Sequence, residues 1–196
     1  MIAHETSPMG PILYEARSVR LRAATEADYK IMHKWRCDPT PPHFLCIDPT
    51  TVSYARFVAW LRQYHRRGSI VLILNRSDNR PAGYLLISNA DLWDGWIFVA
   101  TYMSAEFRAR VHFLEASTIF VDYIFNRLPL RKILIEVYEF AERFREYMER
   151  RGWVTEAFTP KHALYNGGYT GLYTLALYRG AWEKRKLRLL PQAPAK

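Results

Sequence analysis

Residues 18–22 alternate apolar and polar positions, which predicts a short strand with one buried face. Thr25 and Asp28 then form a capping pair, and Tyr29, Ile31, Met32 and Trp35 recur at helical spacing until Asp38-Pro39 breaks the pattern. Residues 40–50 hold Pro41, Pro42 and Pro49 and read as a loop. From 51 to 67, Tyr54, Phe57, Val58 and Leu61 lie on one side of a second helix, opposite Arg56, Arg62 and Arg66, and Gly68 ends it. Three strands at 70–74, 83–88 and 96–103 are separated by the turn sequences Ser77-Asp78-Asn79 and 91–95, so an antiparallel meander is the economical topology. Residues 108–128 form a long apolar helix, with Leu114, Val121, Phe125 and Leu128 in one row, which must be largely covered. Pro129 stops it. A strand at 132–138, a charged helix at 140–151 ended by Gly152, and a strand from 154 imply a parallel crossover. Residues 154–165 and 169–178 close the chain as a hairpin around Asn166-Gly167-Gly168.

Composition narrows the class. With 196 residues, 49% hydrophobic and 24% charged, the chain has a globular composition, ample for one domain and outside the range of intrinsic disorder. The longest apolar runs, 70–74 and 96–100, are strand-length, far short of the roughly 20 residues a membrane helix needs. Residues 1–16 carry Pro8, Gly10 and Pro11 without a continuous apolar stretch and read as a loose lead-in, not a signal peptide. Cys37 and Cys46 are too few for a disulfide framework or a cysteine-based metal site, so a reducing cytoplasm is expected and no metal is implied.

The 28 basic residues exceed the 19 acidic ones, for a formal charge of +9, which favours an anionic partner. Five of the basic residues lie in 184–196; the remaining 23 against 19 leave the body near +4, and 183–196 reads as a solvated, mobile basic tail. No helix-turn-helix, finger or RNA-recognition motif accompanies the charge, so nucleic acid is not an expected partner.

The motifs from residue 17 to 182 carry a resemblance. Val19-Arg-Leu-Arg-Ala-Ala-Thr-Glu-Ala-Asp28, Trp35-Arg36 with Asp38-Pro39, Arg150-Arg-Gly-Trp153, and the closing Tyr165-Asn-Gly-Gly-Tyr-Thr-Gly-Leu-Tyr to Trp182 stand in the order found in the GNAT superfamily of N-acyltransferases. They are similar to the branch that acetylates ribosomal-protein N-termini and, more widely, aminoglycosides and other small amines. The resemblance implies an α/β fold with a mixed, mostly antiparallel seven-stranded sheet, splayed in a V and flanked by about four helices. It implies a GNAT domain over 17–182, an acyl-CoA co-substrate, and an amine acceptor on a small molecule or peptide.

The chain departs from the family at one loop. Where the family has a basic residue followed by small residues that bring backbone N–H groups to the coenzyme A pyrophosphate, this sequence reads Arg108-Ala109-Arg110-Val111-His112-Phe113. Val111 resists positive φ, and Phe113 adds a ring beside the phosphate position. Three readings follow. Arg108, Arg110 and His112 hold an acyl-CoA through side chains; or the donor is an acidic acyl-carrier protein, whose phosphopantetheine has no pyrophosphate; or the domain is a catalytically degenerate binding or scaffold module.

By resemblance, the strand-end backbone at Tyr102, Met103 and Ser104 would donate to the thioester carbonyl and the pantetheine amides, and the loop 108–113 would meet the phosphates. Tyr147, one position before the family's general acid at Met148, is the acid candidate; a change of one residue turns a helical side chain by about 100°. The Asn that usually opens this helix is replaced by Ala141. Asp94 in the turn and His43 in the Pro-rich loop are the base candidates, with Asp91 and Glu139 as weaker ones; turn chemistry is the plain alternative for both aspartates. Trp93, Trp96, Phe98, Tyr102, Tyr138, Phe140 and Phe144 would line a long acyl channel if they were not core. An exposed last strand leaves a homodimer open.

Overall fold

The computed structural model describes residues 10–37, 52–65, 70–108 and 111–189. Its strands are β1 (Ile12–Glu15), β2 (Val19–Ala23), β3 (Ile70–Asn75), β4 (Pro81–Asp91), β5 (Trp96–Met103), β6 (Lys132–Tyr138), β7 (Val154–Tyr165) and β8 (Gly168–Tyr178). They form one sheet in the order β1-β2-β3-β4-β5-β6-β8-β7. Neighbours are antiparallel except β5 with β6, which are parallel. The described helices are α1 (Tyr29–Arg36), α2 (Tyr54–His65), α3 (Val111–Arg127), α4 (Glu142–Arg150) and α5 (Arg179–Leu189).

The sheet separates two cores. Strand alternation sends Leu72, Tyr84, Leu86 and Tyr102 to the face covered by α1 and α2, where they meet Met32, Trp35, Phe57 and Leu61. The other face, with Ile73, Leu85, Ile97, Val99, Met103 and Ile133, packs on α3, α4 and α5 through Ile119, Phe120, Met148 and Trp182. Because α3 and the middle strands are apolar on nearly every turn, they fill the centre of a three-layer arrangement, each fully buried large side chain contributing about 1.5–3 kcal/mol.

Three features differ from the sequence reading. The sheet has eight strands rather than seven, because Ile12–Glu15, inside the supposed loose lead-in, pairs antiparallel with β2. Four residues between Gly10-Pro11 and Ala16 carry too little periodicity to announce a strand; the partner β2 defines it. The basic tail read from 183 is helical through Leu189, within α5. Its anchor is Trp182, 3% exposed, whose indole N–H donates to Asp122 on α3 at 3.1 Å. Finally, β7 runs parallel to β6, as the crossover predicts, but β8 is inserted between them.

The long apolar helix is described from Val111; Ala109 and Arg110, just before it, lie outside the described residues. Glu115, 6% exposed on its first turns, accepts hydrogen bonds from Arg17 N at 2.6 Å and Ser18 N at 2.9 Å and from the Ser18 hydroxyl, tying α3 to the turn between β1 and β2.

Candidate active site

β5 and β6 pair over Trp96–Lys132, Ile97–Ile133 and Phe98–Leu134 and then part. From there β5 keeps only its β4 partner. The direction of its free groups follows from the register: Ser104 N donates to Ala82 O at 2.9 Å, and Tyr102 is opposite Tyr84 and Ala100 opposite Leu86. Hydrogen-bonded and non-hydrogen-bonded pairs alternate along an antiparallel ladder, so the N–H groups of Tyr102 and Ala100 point to β4, like that of Ser104. That of Val99 is used by the last rung with β6, beside the Phe98–Leu134 pair, and those of Thr101 and Met103 point into the gap. Of the three strand-end residues expected to offer donors, Met103 faces the gap; Thr101, two residues earlier, was missed because only the register reveals the parity.

A cavity of about 370 Å³ occupies this gap. Its walls come from both faces of the sheet: Tyr84, Leu86 and Tyr102 with Arg36 and Trp60 on the α1 and α2 side, and Val99, Met103, Phe113, Ser117, Phe120 and Trp153 on the α3 and α4 side. It is therefore a passage through the sheet, in which two reactants can approach the same N–H groups from opposite faces.

Arg108 and Phe113 are the loop residues in the wall. The Phe113 ring turns inward against Phe144, edge to face at 5.7 Å between centroids, so it builds the wall instead of projecting from the helix start. His112 is buried away from the cavity, with Nε2 at 3.1 Å from Asn75 Oδ1 and its ring edge-on to Phe107. Val111 is exposed. Ala109 and Arg110 lie outside the described residues, as do His43 and Cys46.

The other predicted residues separate from the cavity. Tyr147 does not line it; its hydroxyl accepts a hydrogen bond from Arg151 Nη1 at 2.8 Å, while its neighbour Met148 does line it, as the one-residue offset implied. Asp94 is exposed in the turn between β4 and β5, where its N–H donates to Asp91 Oδ1 at 2.9 Å and its carbonyl accepts from Arg131 Nε at 3.4 Å. That is turn chemistry for both aspartates. Glu139 accepts from Gly171 N at 2.9 Å, joining β6's end to β8. Among the supposed channel aromatics, Phe98, Tyr102, Tyr138 and Phe144 reach the cavity, whereas Trp93 is 98% exposed.

Two groups in the wall escaped the sequence reading. Ser117 Oγ, on α3, is buried with no hydrogen-bond partner among the described residues. Glu136, on β6, is the carboxylate of the wall. No shared metal cluster of three or more His, Cys, Asp or Glu occurs among the described residues, and no helix among them is long and apolar enough to cross a membrane.

This architecture, a mixed sheet whose two central parallel strands part around a cavity, is that of the GNAT acetyltransferase fold. The family model for the acetyltransferase (GNAT) domain matches residues 18–154, and the chain belongs to that family. The spermidine N-acetyltransferase of Vibrio cholerae, solved with CoA and spermine, is similar with a TM-score of 0.77 at 14% identity, over 85% of this chain and 98% of that one. RimL, a ribosomal L7/L12 alpha-N-protein acetyltransferase solved with coenzyme A, gives 0.75 at 16% identity over 87% and 99%. A GCN5-related N-acetyltransferase from Brucella melitensis gives 0.72 at 20% identity over 92% and 84%. No curated protein matches the sequence.

Proposed function

We propose that the chain transfers an acyl group from a pantetheine thioester, carried by coenzyme A or by an acyl-carrier protein, to a primary amine of a small molecule or peptide. The observation that carries this reading is the pair of backbone N–H groups at Thr101 and Met103, beyond the last β5–β6 rung and aimed at a cavity lined from both sheet faces. Fixed donors of this kind stabilise the oxyanion that develops when an amine attacks a thioester carbonyl. The carbon–nitrogen bond forms, the carbon–sulfur bond breaks, and the thiolate takes up a proton.

The wall suits a pantetheine arm. It is mainly apolar on the α3 and α4 side, and the Ser117 hydroxyl supplies a buried polar group that a pantetheine amide would satisfy. The phosphate end is less conventional: residues 108–113 contain no glycine, so Arg108, in the wall, would contribute by charge where the family uses backbone. An acyl-carrier protein, which brings no pyrophosphate, removes even that requirement. Two cysteines and a thioester substrate accord with a reducing cytoplasm.

The test is calorimetry of the full chain with coenzyme A, acetyl-CoA, longer acyl-CoAs and a loaded acyl-carrier protein, followed by mass spectrometry of an amine panel. Binding of a thioester and acylation of an amine support the reading. A well-folded chain that binds none of them sinks it and leaves the binding or scaffold module that the substituted loop, Val111 and Phe113 in place of small residues, also favours.

A further inference from the structure

Most carboxylates among the described residues are engaged: Glu15 by Arg20, Glu26 by Arg62, Glu106 by Arg80, Glu142 and Glu149 by Arg145, and Glu156 by Lys132. Glu136 is different. It stands in the cavity wall, and its carboxylate makes no hydrogen bond or ion pair among the described residues. On β6 it shares a strand face with Leu134 and Tyr138, opposite to Ile133 and Val137, which pack in the α3 core. It therefore stands on the α1 and α2 side of the passage. With the donor's pantetheine taken on the α3 side, this is the side from which the acceptor must come.

Aromatic rings surround that approach. Tyr84 and Tyr102 stack at 5.4 Å, with Trp35 stacked on both at 6.2 and 5.5 Å, and Tyr138 and Trp60 also line the cavity. A carboxylate beside aromatic rings attracts an ammonium by charge and by the ring quadrupole, while the rings receive an apolar body. Glu136 is the one carboxylate among the residues lining the cavity. A second positive charge on the acceptor would find no further carboxylate in the described wall.

The geometry points to an acceptor with a single ammonium group on an apolar, flat body, recognised by Glu136, and against a polycation such as a polyamine. This rests on the acyl-transfer reading for the assignment of the two sides, but it can be tested without catalysis.

The probes are 2-phenylethylamine, its neutral analogue 2-phenylethanol, and spermidine, titrated calorimetrically into the full chain at pH 7 with and without coenzyme A. The expected result is that 2-phenylethylamine binds at least tenfold more tightly than spermidine. Glu136→Gln should weaken the amine at least tenfold and leave 2-phenylethanol within twofold. The side chain is exposed, so the variant should keep the parent melting temperature. Spermidine binding as tightly as 2-phenylethylamine, an amine affinity unchanged by Glu136→Gln, or an equal loss for the alcohol would each overturn the assignment. Coenzyme A binding without 2-phenylethylamine binding overturns this inference and leaves acyl transfer standing. Amine binding with the Glu136 dependence, but no thioester bound, retains the amine site and removes the acyltransferase.

Discussion

The guanidinium of Arg22 and the carboxylate of Asp28 meet at two points, Nη1 to Oδ2 at 2.7 Å and Nη2 to Oδ1 at 2.6 Å, with both side chains over 90% covered. Arg22 ends the buried part of β2, and Asp28 precedes α1, so the pair fixes the angle at which the chain leaves the sheet toward Trp35 and Arg36. Asp28 also accepts from Thr25 N at 2.8 Å, completing the cap read from the sequence. Removing one partner of a buried pair strands the other charge, at a cost of about 3–5 kcal/mol. Asp28→Asn should lower stability to chemical denaturation by about that amount.

The same carboxylate gives a pH dependence. Burial pushes the Asp28 carboxyl up, but hydrogen bonds from Arg22 and from the Thr25 N–H, together with the guanidinium charge, outweigh it and hold the group below the usual aspartate range. A lowered native value means that the folded chain binds this proton less readily than the unfolded one. The contribution is complete above the ordinary aspartate value of about 3.9 and lost as pH falls through the lowered native value. In acid titrations of stability between about pH 5 and 2, the parent should lose more than Asp28→Asn; parallel curves would refute the assignment.

Thr101→Pro separates the backbone donor from the fold. The Thr101 N–H faces the gap, where β5 has parted from β6, so a proline there removes no ladder bond. Folding should be nearly preserved, while the loss of one preplaced donor lowers turnover by about 10²–10³-fold. Ala100→Pro is the contrast: its N–H pairs with β4, and that variant should be destabilised. Thiol release assays and thermal melts on both variants check the difference.

Much of this arrangement was legible in the sequence because periodicity reports burial. The apolar α3, the alternating β2, and the Thr25–Asp28 cap all appear where their patterns put them. What was not legible depends on partners distant in sequence. β1 exists because β2 pairs with it, and α5, polar around most of its surface, is held by Trp182 on Asp122 rather than by its own pattern. Glu136 is one polar position in an alternating strand, which nothing in the sequence singles out; only the parting of β5 from β6 puts it in a cavity wall. Tyr147 and Met148 illustrate the same limit at one-residue precision, since the helix angle decides which of the two enters the cavity.

Ser117→Ala should have opposite effects on stability and binding. The buried hydroxyl has no partner among the described residues, and an unsatisfied buried polar group costs about 1–3 kcal/mol, so its removal should leave stability unchanged or raise it by about 1 kcal/mol. If the hydroxyl bonds a pantetheine amide, coenzyme A affinity should fall about fivefold to tenfold, as for one lost hydrogen bond of about 1 kcal/mol or slightly more. Melting curves and coenzyme A titrations measure the two independently. A variant that melts higher and binds coenzyme A as before would remove Ser117 from the site.

Arg179 holds the far end of α3. Its Nη1, Nη2 and Nε donate to the carbonyls of Phe125, Leu128 and Leu130 at 2.7, 2.6 and 2.7 Å, and its guanidinium lies 5.0 Å from the centre of the Phe125 ring. The last carbonyls of a helix have no partner within it, and a cation there also opposes the negative end of the dipole. The three bonds require a planar fork that lysine cannot reproduce. Arg179→Lys should therefore recover only part of the loss seen in Arg179→Ala, which should cost about 3 kcal/mol, since hydrogen bonds to a charged group contribute about 1.5–3 kcal/mol and three on one side chain do not add. Because Arg179 is also the first residue of α5, hydrogen exchange should show the last turn of α3 and the start of α5 opening together in the alanine variant. Opening of α5 alone, with α3 still protected, would contradict the role assigned to the guanidinium.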